Sequence, residues 1–183
     1  MTTMTLGIQL KPGGPPQLAL GNWRVDPACS YASFAARVAG RPVRGRLPLT
    51  GGVRITQPIE DSTARLAAKA SAISTGSLVL DRLLAGPGFL DAGTFPEISF
   101  RSELLVRVPT GWRAVGRLQV KNTKHELACQ LDLGLPGTRA GDPPRIIIAS
   151  SWVIDSRWVT SQWIPALGRR IAMTCSFSLE PDM

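Results

Sequence analysis

The side chains most able to do covalent or metal chemistry in this sequence are three cysteines and one histidine. Cys29, Cys129 and Cys175 are widely spaced and odd in number, and the chain has no Cys-x-x-Cys pair. This spacing indicates neither a disulfide framework nor a zinc site, since zinc sites usually gather three or four ligands. His125 is predicted to lie in a turn next to Glu126, and no Gly-x-Ser-x-Gly motif occurs that would supply the nucleophile of a triad. These residues predict no metal site and no triad.

Weaker candidates for catalysis are Cys29 and the carboxylates of Asp81 and Asp91. Covalent or redox chemistry at Cys29 needs a base that the sequence does not obviously provide. Asp81 and Asp91 could form an acid–base pair, but they are explained more simply as a helix N-cap and a loop-stabilising side chain. The sequence also lacks Gly-rich phosphate-binding motifs. We therefore expect a protein that is not an enzyme and has no cofactor.

The net charge of +8 raises the question of a nucleic-acid partner. The basic residues are mostly arginines spread along the chain, and the tightest group is Arg37, Arg41, Arg44 and Arg46. Neither a run of five basic residues nor an aromatic RNA-binding signature occurs. We expect no nucleic-acid partner and interpret the charge as a solvated exterior, compatible with a weak attraction to anionic lipid headgroups.

No segment has the pattern of a membrane-spanning helix or of a secretory signal. The longest strongly apolar run covers residues 146–149, whereas a helix needs about 20 apolar residues to cross a bilayer. The N-terminal region lacks a basic start, a continuous apolar stretch and a cleavage site. The sequence therefore predicts a cytoplasmic protein without stable membrane insertion.

The elements that position these side chains are predicted to be strands, because apolar residues recur at every second position from residue 22 onward. Consecutive strands joined by short turns must hide their edges, and an up-and-down antiparallel barrel does so. An immunoglobulin-like sandwich is the alternative. We expect an all-β fold with one or two short helical turns, at residues 81–85 and 161–167.

The chain is expected to form one domain. Residues 1–21, which include Gly13, Gly14, Pro15 and Pro16, are predicted to be a flexible N-terminal arm, and residues 22–183 the barrel domain. Many inward positions of the predicted strands are alanine. Small residues leave room for a ligand cavity, but they also suit a solid core in which large side chains pack against small ones. The pattern alone does not decide between the two.

Several segments resemble the YceI-like family of polyisoprenoid-binding, lipocalin-like β-barrels. They are residues 23–34, residues 44–45 with the strand entry at 51–52, residues 115–118 and above all residues 74–102, where a Gly-rich loop precedes Phe-Pro-Glu-Ile-Ser-Phe-Arg-Ser. The chain departs from the family pattern where Cys29-Ser30 replaces His-Ser and Leu83 replaces a second histidine. It also departs at residues 155–159, where an Arg-x-Asp-Phe-Gly segment is usual.

The resemblance implies a lipocalin-like barrel that binds a long isoprenoid lipid, polyprenyl or quinone-like, for sequestration or transport. Arg37 and Arg101 are the predicted headgroup contacts. The alternative hypothesis is a ligand-free barrel that acts as a protein-interaction or structural module, with Trp158 and Trp163 at its interface. A homodimer is a further expectation. The residues predicted to line the cavity are Phe34, Val38, Phe89, Phe100, Leu104, Leu118, Leu131, Ile148, Trp152 and Phe177.

Overall fold

A computed structural model describes residues 20–134, 145–160 and 167–182 of the chain. Within them lie ten strands, one α-helix and three short 3-10 turns, at Ile59–Asp61, Ala70–Ala72 and Ser156–Trp158. The helix α1 spans Leu78–Ala85. The strands are β1 (Gly21–Val25), β2 (Tyr31–Val38), β3 (Arg41–Pro48), β4 (Thr50–Ile55), β5 (Thr63–Lys69), β6 (Glu97–Val108), β7 (Gly111–Val120), β8 (Thr123–Gly134), β9 (Ile146–Asp155) and β10 (Arg170–Pro181).

The strands form a closed, antiparallel, up-and-down barrel, as the sequence predicts. The described strands pair in the order β1-β4-β5-β6-β7-β8-β9-β10-β2-β3, and an additional β1–β10 pairing closes the ring. β1 and β2 both pair with β10, at its C-terminal and N-terminal parts respectively. Because β1 and β2 follow one another along the same edge, they act as one bent strand, and β3 and β4 form another. The result is an eight-stranded, lipocalin-like barrel.

Ser30 holds the bend between β1 and β2. It is 2% exposed, its backbone carbonyl accepts a hydrogen bond from the N–H of Leu49 at 2.9 Å, and its Oγ accepts one from the N–H of Ser178 at 3.0 Å. Leu49 lies at the corresponding bend between β3 and β4. One serine therefore joins both bends to β10, satisfying backbone groups that a broken ladder would leave unpaired.

The pairing of β6 with β7 contains a β-bulge. Its register shifts between Ser102 and Leu104, so that one extra residue lies on β6. Opposite the bulge is Gly116, where an added Cβ would collide with the backbone of Arg101 and Ser102. The glycine allows this close approach, and the extra residue reverses which side chains of β6 point inward.

The two ends of the barrel differ. Trp23, Val25, Ile146 and Leu179 are almost fully buried in the core, and the strand directions place them at one end, called here the closed end. The opposite end, called the helix end, receives the β2–β3 and β7–β8 turns, the β9–β10 connection and the β5–β6 connection, which contains α1.

Helix α1 begins three residues before the predicted helical turn. Its N-cap is Ser77, whose hydroxyl accepts a hydrogen bond from the N–H of Leu80 at 3.4 Å. The prediction of Asp81 as the N-cap is therefore wrong. The Asp81 carboxylate instead accepts hydrogen bonds from the backbone N–H (2.7 Å) and hydroxyl (2.6 Å) of Thr75, which ties α1 to the preceding loop.

Parts of the predicted organisation fall on residues that the structure does not describe. They are most of the N-terminal arm, the polar loop at 135–144, and the predicted helical turn that includes Trp163. Among the helices of the described residues, none has the length and apolar character needed to traverse a bilayer.

Candidate functional site

The barrel encloses an apolar cavity with a volume of about 280 Å³. Side chains from all the strands except β1 contribute to it, together with α1 and the loop that follows. Its described lining is aliphatic and aromatic, with a few hydroxyl and thiol groups, and contains no charged side chain. A site of this kind binds apolar molecules by removing their surface from water.

Nine of the ten side chains predicted to line a cavity do line it. They lie on β2, β6, β7, β8, β9 and β10 and in the loop after α1, and are Phe34, Val38, Phe89, Phe100, Leu118, Leu131, Ile148, Trp152 and Phe177. Whether they contact a ligand stays a prediction.

Leu104 is the exception, and the prediction of its place is wrong. It is 48% exposed because the bulge after Ser102 shifts the alternation of β6 by one residue. Leu105 takes the inward position and lines the cavity. The sequence breaks its alternation at this point, because Ser102 and Glu103 are both polar and the three residues that follow, 104–106, are all apolar. Gly116 on the partner strand is a second signal of the shift.

The two predicted headgroup arginines do not line the cavity. Arg101 is exposed on the outer wall of the barrel, directly across from Arg65 of β5 and Arg117 of β7. It is absent from the cavity lining, and its contact with a headgroup stays a prediction. Arg37 is exposed at the helix end, and its guanidinium donates a hydrogen bond to the carbonyl of Gly40 at 3.2 Å. Its contact with a headgroup stays a prediction.

Small side chains create the space of the cavity. The sequence pattern had left open whether they surround a cavity or belong to a solid core. Ala32, Ala36, Ala64, Ala68 and Ala114 all line the cavity. A solid core would need larger partners to fill the volume opposite each of them. Instead, large side chains of neighbouring strands stand around an open lumen.

The ring of Phe34 packs against Gly45 where a side chain would otherwise be. Gly45 lies directly across from Phe34 in the β2–β3 ladder, and an added Cβ would collide with the ring and with the carbonyl of Ser74. The missing side chain at this position therefore leaves the space that the edge of the phenyl ring occupies against the wall.

Helix α1 and the loop after it form the wall of the cavity at the helix end. Leu80, Leu83 and Leu84 line the cavity together with Phe89. Leu83 is also 57% exposed, so the cavity meets the surface beside this residue. Apart from Phe89, these side chains were missed from the sequence, because a single short helix gives too little periodicity to show which face is covered.

The three cysteine thiols, which are the potential nucleophiles, lie in two kinds of environment. Burial raises the pKa of the Cys129 thiol, and it raises the pKa of the Cys175 thiol to about 12. Both line the cavity as neutral, weakly polar groups, whereas Cys29 is exposed.

Among the described residues no cluster of three or more metal-ligating side chains occurs.

The two tryptophans near the helix end, Trp158 and Trp152, have distinct environments. The ring of Trp158 stacks on His125 with centroids 4.0 Å apart and planes 10° apart, and burial lowers the pKa of His125. Trp152 lines the cavity, and its indole N–H has no hydrogen-bond partner among the described residues. It is therefore a free donor in an apolar lining.

The closed barrel and its apolar lumen define the class of protein as a lipocalin-like barrel with an internal cavity. The model of the YceI-like domain matches residues 23–171. The chain therefore belongs to the YceI-like family, which confirms the resemblance seen in its sequence. No curated protein matches the chain in a sequence search.

Solved structures share the fold at low sequence identity. BcnA of Burkholderia cenocepacia superposes with a TM-score of 0.73 and 15% identity, over 84% of this chain and 98% of BcnA. A polyisoprenoid-binding domain from Saccharophagus degradans gives 0.66 and 14%, over 87% and 98%. The YceI protein of Campylobacter jejuni gives 0.66 and 14%, over 77% and 86%. These likenesses establish the fold.

Proposed function

We propose that the protein holds the long apolar tail of an isoprenoid lipid, polyprenyl or quinone-like, inside its barrel and so sequesters or transports that lipid without catalysis. The observation that carries the proposal is the apolar lumen of about 280 Å³, whose described lining has no charged group. The volume is near the lower end of the range of about 300–1,000 Å³ found for ligand pockets, which favours a slender chain over a bulky group. The polyisoprenoid-binding domain of Saccharophagus degradans, which shares the fold, supports the choice of tail.

The affinity follows from the area that the tail removes from water. Each buried CH₂ contributes about 0.8 kcal/mol, so an isoprene unit of five carbons contributes about 4 kcal/mol. Three units contribute about 12 kcal/mol, of which an association cost of about 4 kcal/mol leaves about 8. That value corresponds to a Kd of about 1 μM. Affinity is therefore expected to rise with each unit until the lumen is full.

The polar end of such a lipid has two candidate contacts. The free indole N–H of Trp152 would donate to a carbonyl or hydroxyl oxygen, because an unpaired buried donor costs about 1–3 kcal/mol that an acceptor recovers. Arg37 at the helix end suits a headgroup that stays outside. The proposal places this function in the cytoplasm without a nucleic-acid partner, on the support of the sequence pattern alone.

The alternative of a ligand-free interaction module is not favoured by a specific observation. It requires a filled barrel and an apolar patch around Trp158 and Trp163. The barrel contains a lumen, Trp158 is stacked on His125, and Trp163 lies outside the described residues.

Native mass spectrometry of protein purified from its own host, followed by solvent extraction, tests the proposal. We expect one isoprenoid lipid per chain in the intact mass and in the extract. A mass without adduct that does not change when polyprenyl lipids of increasing length are added would refute it.

A further inference from the structure

We infer that the helix end of the barrel docks on an anionic lipid bilayer through the outward face of α1. Leu78 and Val79 are 76% and 80% exposed, and they are the most exposed of the large apolar side chains in the described residues. Leu80 and Leu84 face the cavity instead. Helix α1 is therefore apolar on both faces, whereas a helix that only covers a core needs one apolar face.

The outward face is continuous along the helix. Leu78 and Arg82 are four residues apart, as are Val79 and Leu83, so the two pairs lie side by side on one surface. Leu83 is 57% exposed and also borders the cavity. The surface thus places three apolar side chains and one guanidinium next to the cavity mouth, the composition of a helix that lies in a bilayer interface.

The charges around this surface complement an anionic membrane. Exposed basic side chains lie in or beside the connections at the helix end, on α1 and at the adjoining strand ends. Those without an ion pair among the described residues are Arg37, Arg41, Arg82, Lys124 and Arg170.

The carboxylates at this end are fewer than the basic side chains. Asp81 accepts hydrogen bonds from Thr75, and Asp155 is paired with both Arg157 and Arg169, which hold the pKa of its carboxyl far below the usual range. Glu97 lies across from Lys69, and Asp91 in the loop after α1 interacts electrostatically with Lys121. These carboxylates keep their charge, but the basic side chains outnumber them, so the net electrostatic potential is positive and attracts anionic headgroups at short range.

A bilayer fits this surface better than a protein does. Specific protein interfaces bury about 800 Å² on each partner, which three side chains of one short helix do not provide, whereas a bilayer admits a few inserted side chains. The positive charge also disfavours a second copy of the same face. This inference goes beyond the proposed function, since it depends on the surface of α1 and holds for an empty barrel. Given a lipid cargo, the same contact would set the cavity mouth against the membrane.

Vesicle co-sedimentation of the full chain without added cargo tests the inference. The vesicles are phosphatidylcholine alone, or phosphatidylcholine with about a third phosphatidylglycerol, at low and high salt. We expect the protein to pellet with the anionic vesicles, and to do so less at high salt. The double variant Leu78→Ser/Val79→Ser is expected to bind at least tenfold more weakly, and Arg82→Glu several-fold more weakly.

Two control variants match these changes in chemistry but lie elsewhere. Leu104→Ser/Ile147→Ser removes two exposed aliphatic side chains from strands of the barrel wall, away from the helix end, and Arg54→Glu reverses a charge on β4. Both are expected to bind like the original chain. Equal loss in test and control variants, or no binding to anionic vesicles, would overturn the inference. The inference would also be overturned if the original chain sediments as a dimer and only the Leu78→Ser/Val79→Ser variant sediments as a monomer. Because no cargo is used, each result is independent of isoprenoid uptake.

Discussion

Phe100→Asp is expected to abolish isoprenoid binding, whereas Arg101→Asp is expected to leave it unchanged. The two residues are neighbours on β6, but Phe100 lines the cavity and Arg101 is exposed on the outer wall. The same side chain is therefore introduced on opposite sides of one strand. The comparison separates an effect on the cavity from a general effect of aspartate in the sheet.

The size of the effect follows from two contributions. Loss of the phenyl ring removes apolar contact worth about 1.5–3 kcal/mol. The introduced carboxylate must also lose its water when the tail enters, at a further penalty of several kcal/mol. A total of about 4 kcal/mol raises a micromolar Kd about a thousandfold, to the millimolar range.

The effect depends on pH in a definite direction. An apolar lumen raises the pKa of an introduced carboxyl above its unfolded value of about 3.9. Below that value the group is neutral in both the folded and unfolded states, so the ionic penalty on stability is absent. The penalty grows as the pH rises from there to the raised folded-state pKa. Binding is expected to recover partly at acid pH, where the carboxyl is neutral.

A polyprenol titration monitored by tryptophan fluorescence tests this prediction, since Trp112 and Trp152 line the cavity. Circular dichroism and thermal unfolding show whether each variant has kept its barrel. Phe100→Asp that is folded and binds polyprenol like the original chain would refute the reasoning, as would a loss of equal size in Arg101→Asp.

Three further predictions test the fold. Leu105→Asp is expected to lose polyprenol binding in the same titration while Leu104→Asp keeps it, because the bulge turns Leu104 outward; the reverse order would show that the bulge is misplaced. Gly116→Ala is expected to lower the free energy of unfolding in urea by about 1–3 kcal/mol, because its methyl group collides with the β6 backbone, and an unchanged midpoint would contradict that contact. A thiol reagent at pH 8 (about the ordinary pKa of a thiol) is expected to label Cys29 in the folded protein but not Cys175, whose pKa burial raises to about 12; rapid labelling of Cys175 would show that the lumen is open to water.

Alternation in the sequence predicted the strands and most of the cavity lining, because each strand has one buried face and a period of two, whereas the choice of a barrel rested largely on the family resemblance. The prediction is wrong where a β-bulge breaks that period. At the bulge two polar residues, Ser102 and Glu103, precede three apolar ones at 104–106, so the composition fits either Leu104 or Leu105 as the inward residue, and the pairing with β7 decides between them. The alternative of a sandwich is excluded by the β1–β10 pairing, a contact between the two ends of the domain that local pattern does not encode.

The site was predicted less completely than the fold. The inward leucines of α1 were missed, because eight helical residues give about two turns and both faces are apolar. The outward orientation of Arg101 follows from the alternation of β6, but its place relative to the cavity opening depends on how the strands are arranged. The lumen itself depends on the summed volumes of side chains from many strands, as at Ala36 and Ala68, and this sum can be evaluated only once the strands are arranged.

The most direct test of the central claim is a crystal structure of the protein grown with a long-chain polyprenol. The account predicts a continuous tube of electron density inside the barrel, in contact with Phe34, Phe100 and Phe177 and reaching the surface beside Leu83. Density confined to the outer surface, or an empty barrel in crystals from a solution saturated with the lipid, would contradict it.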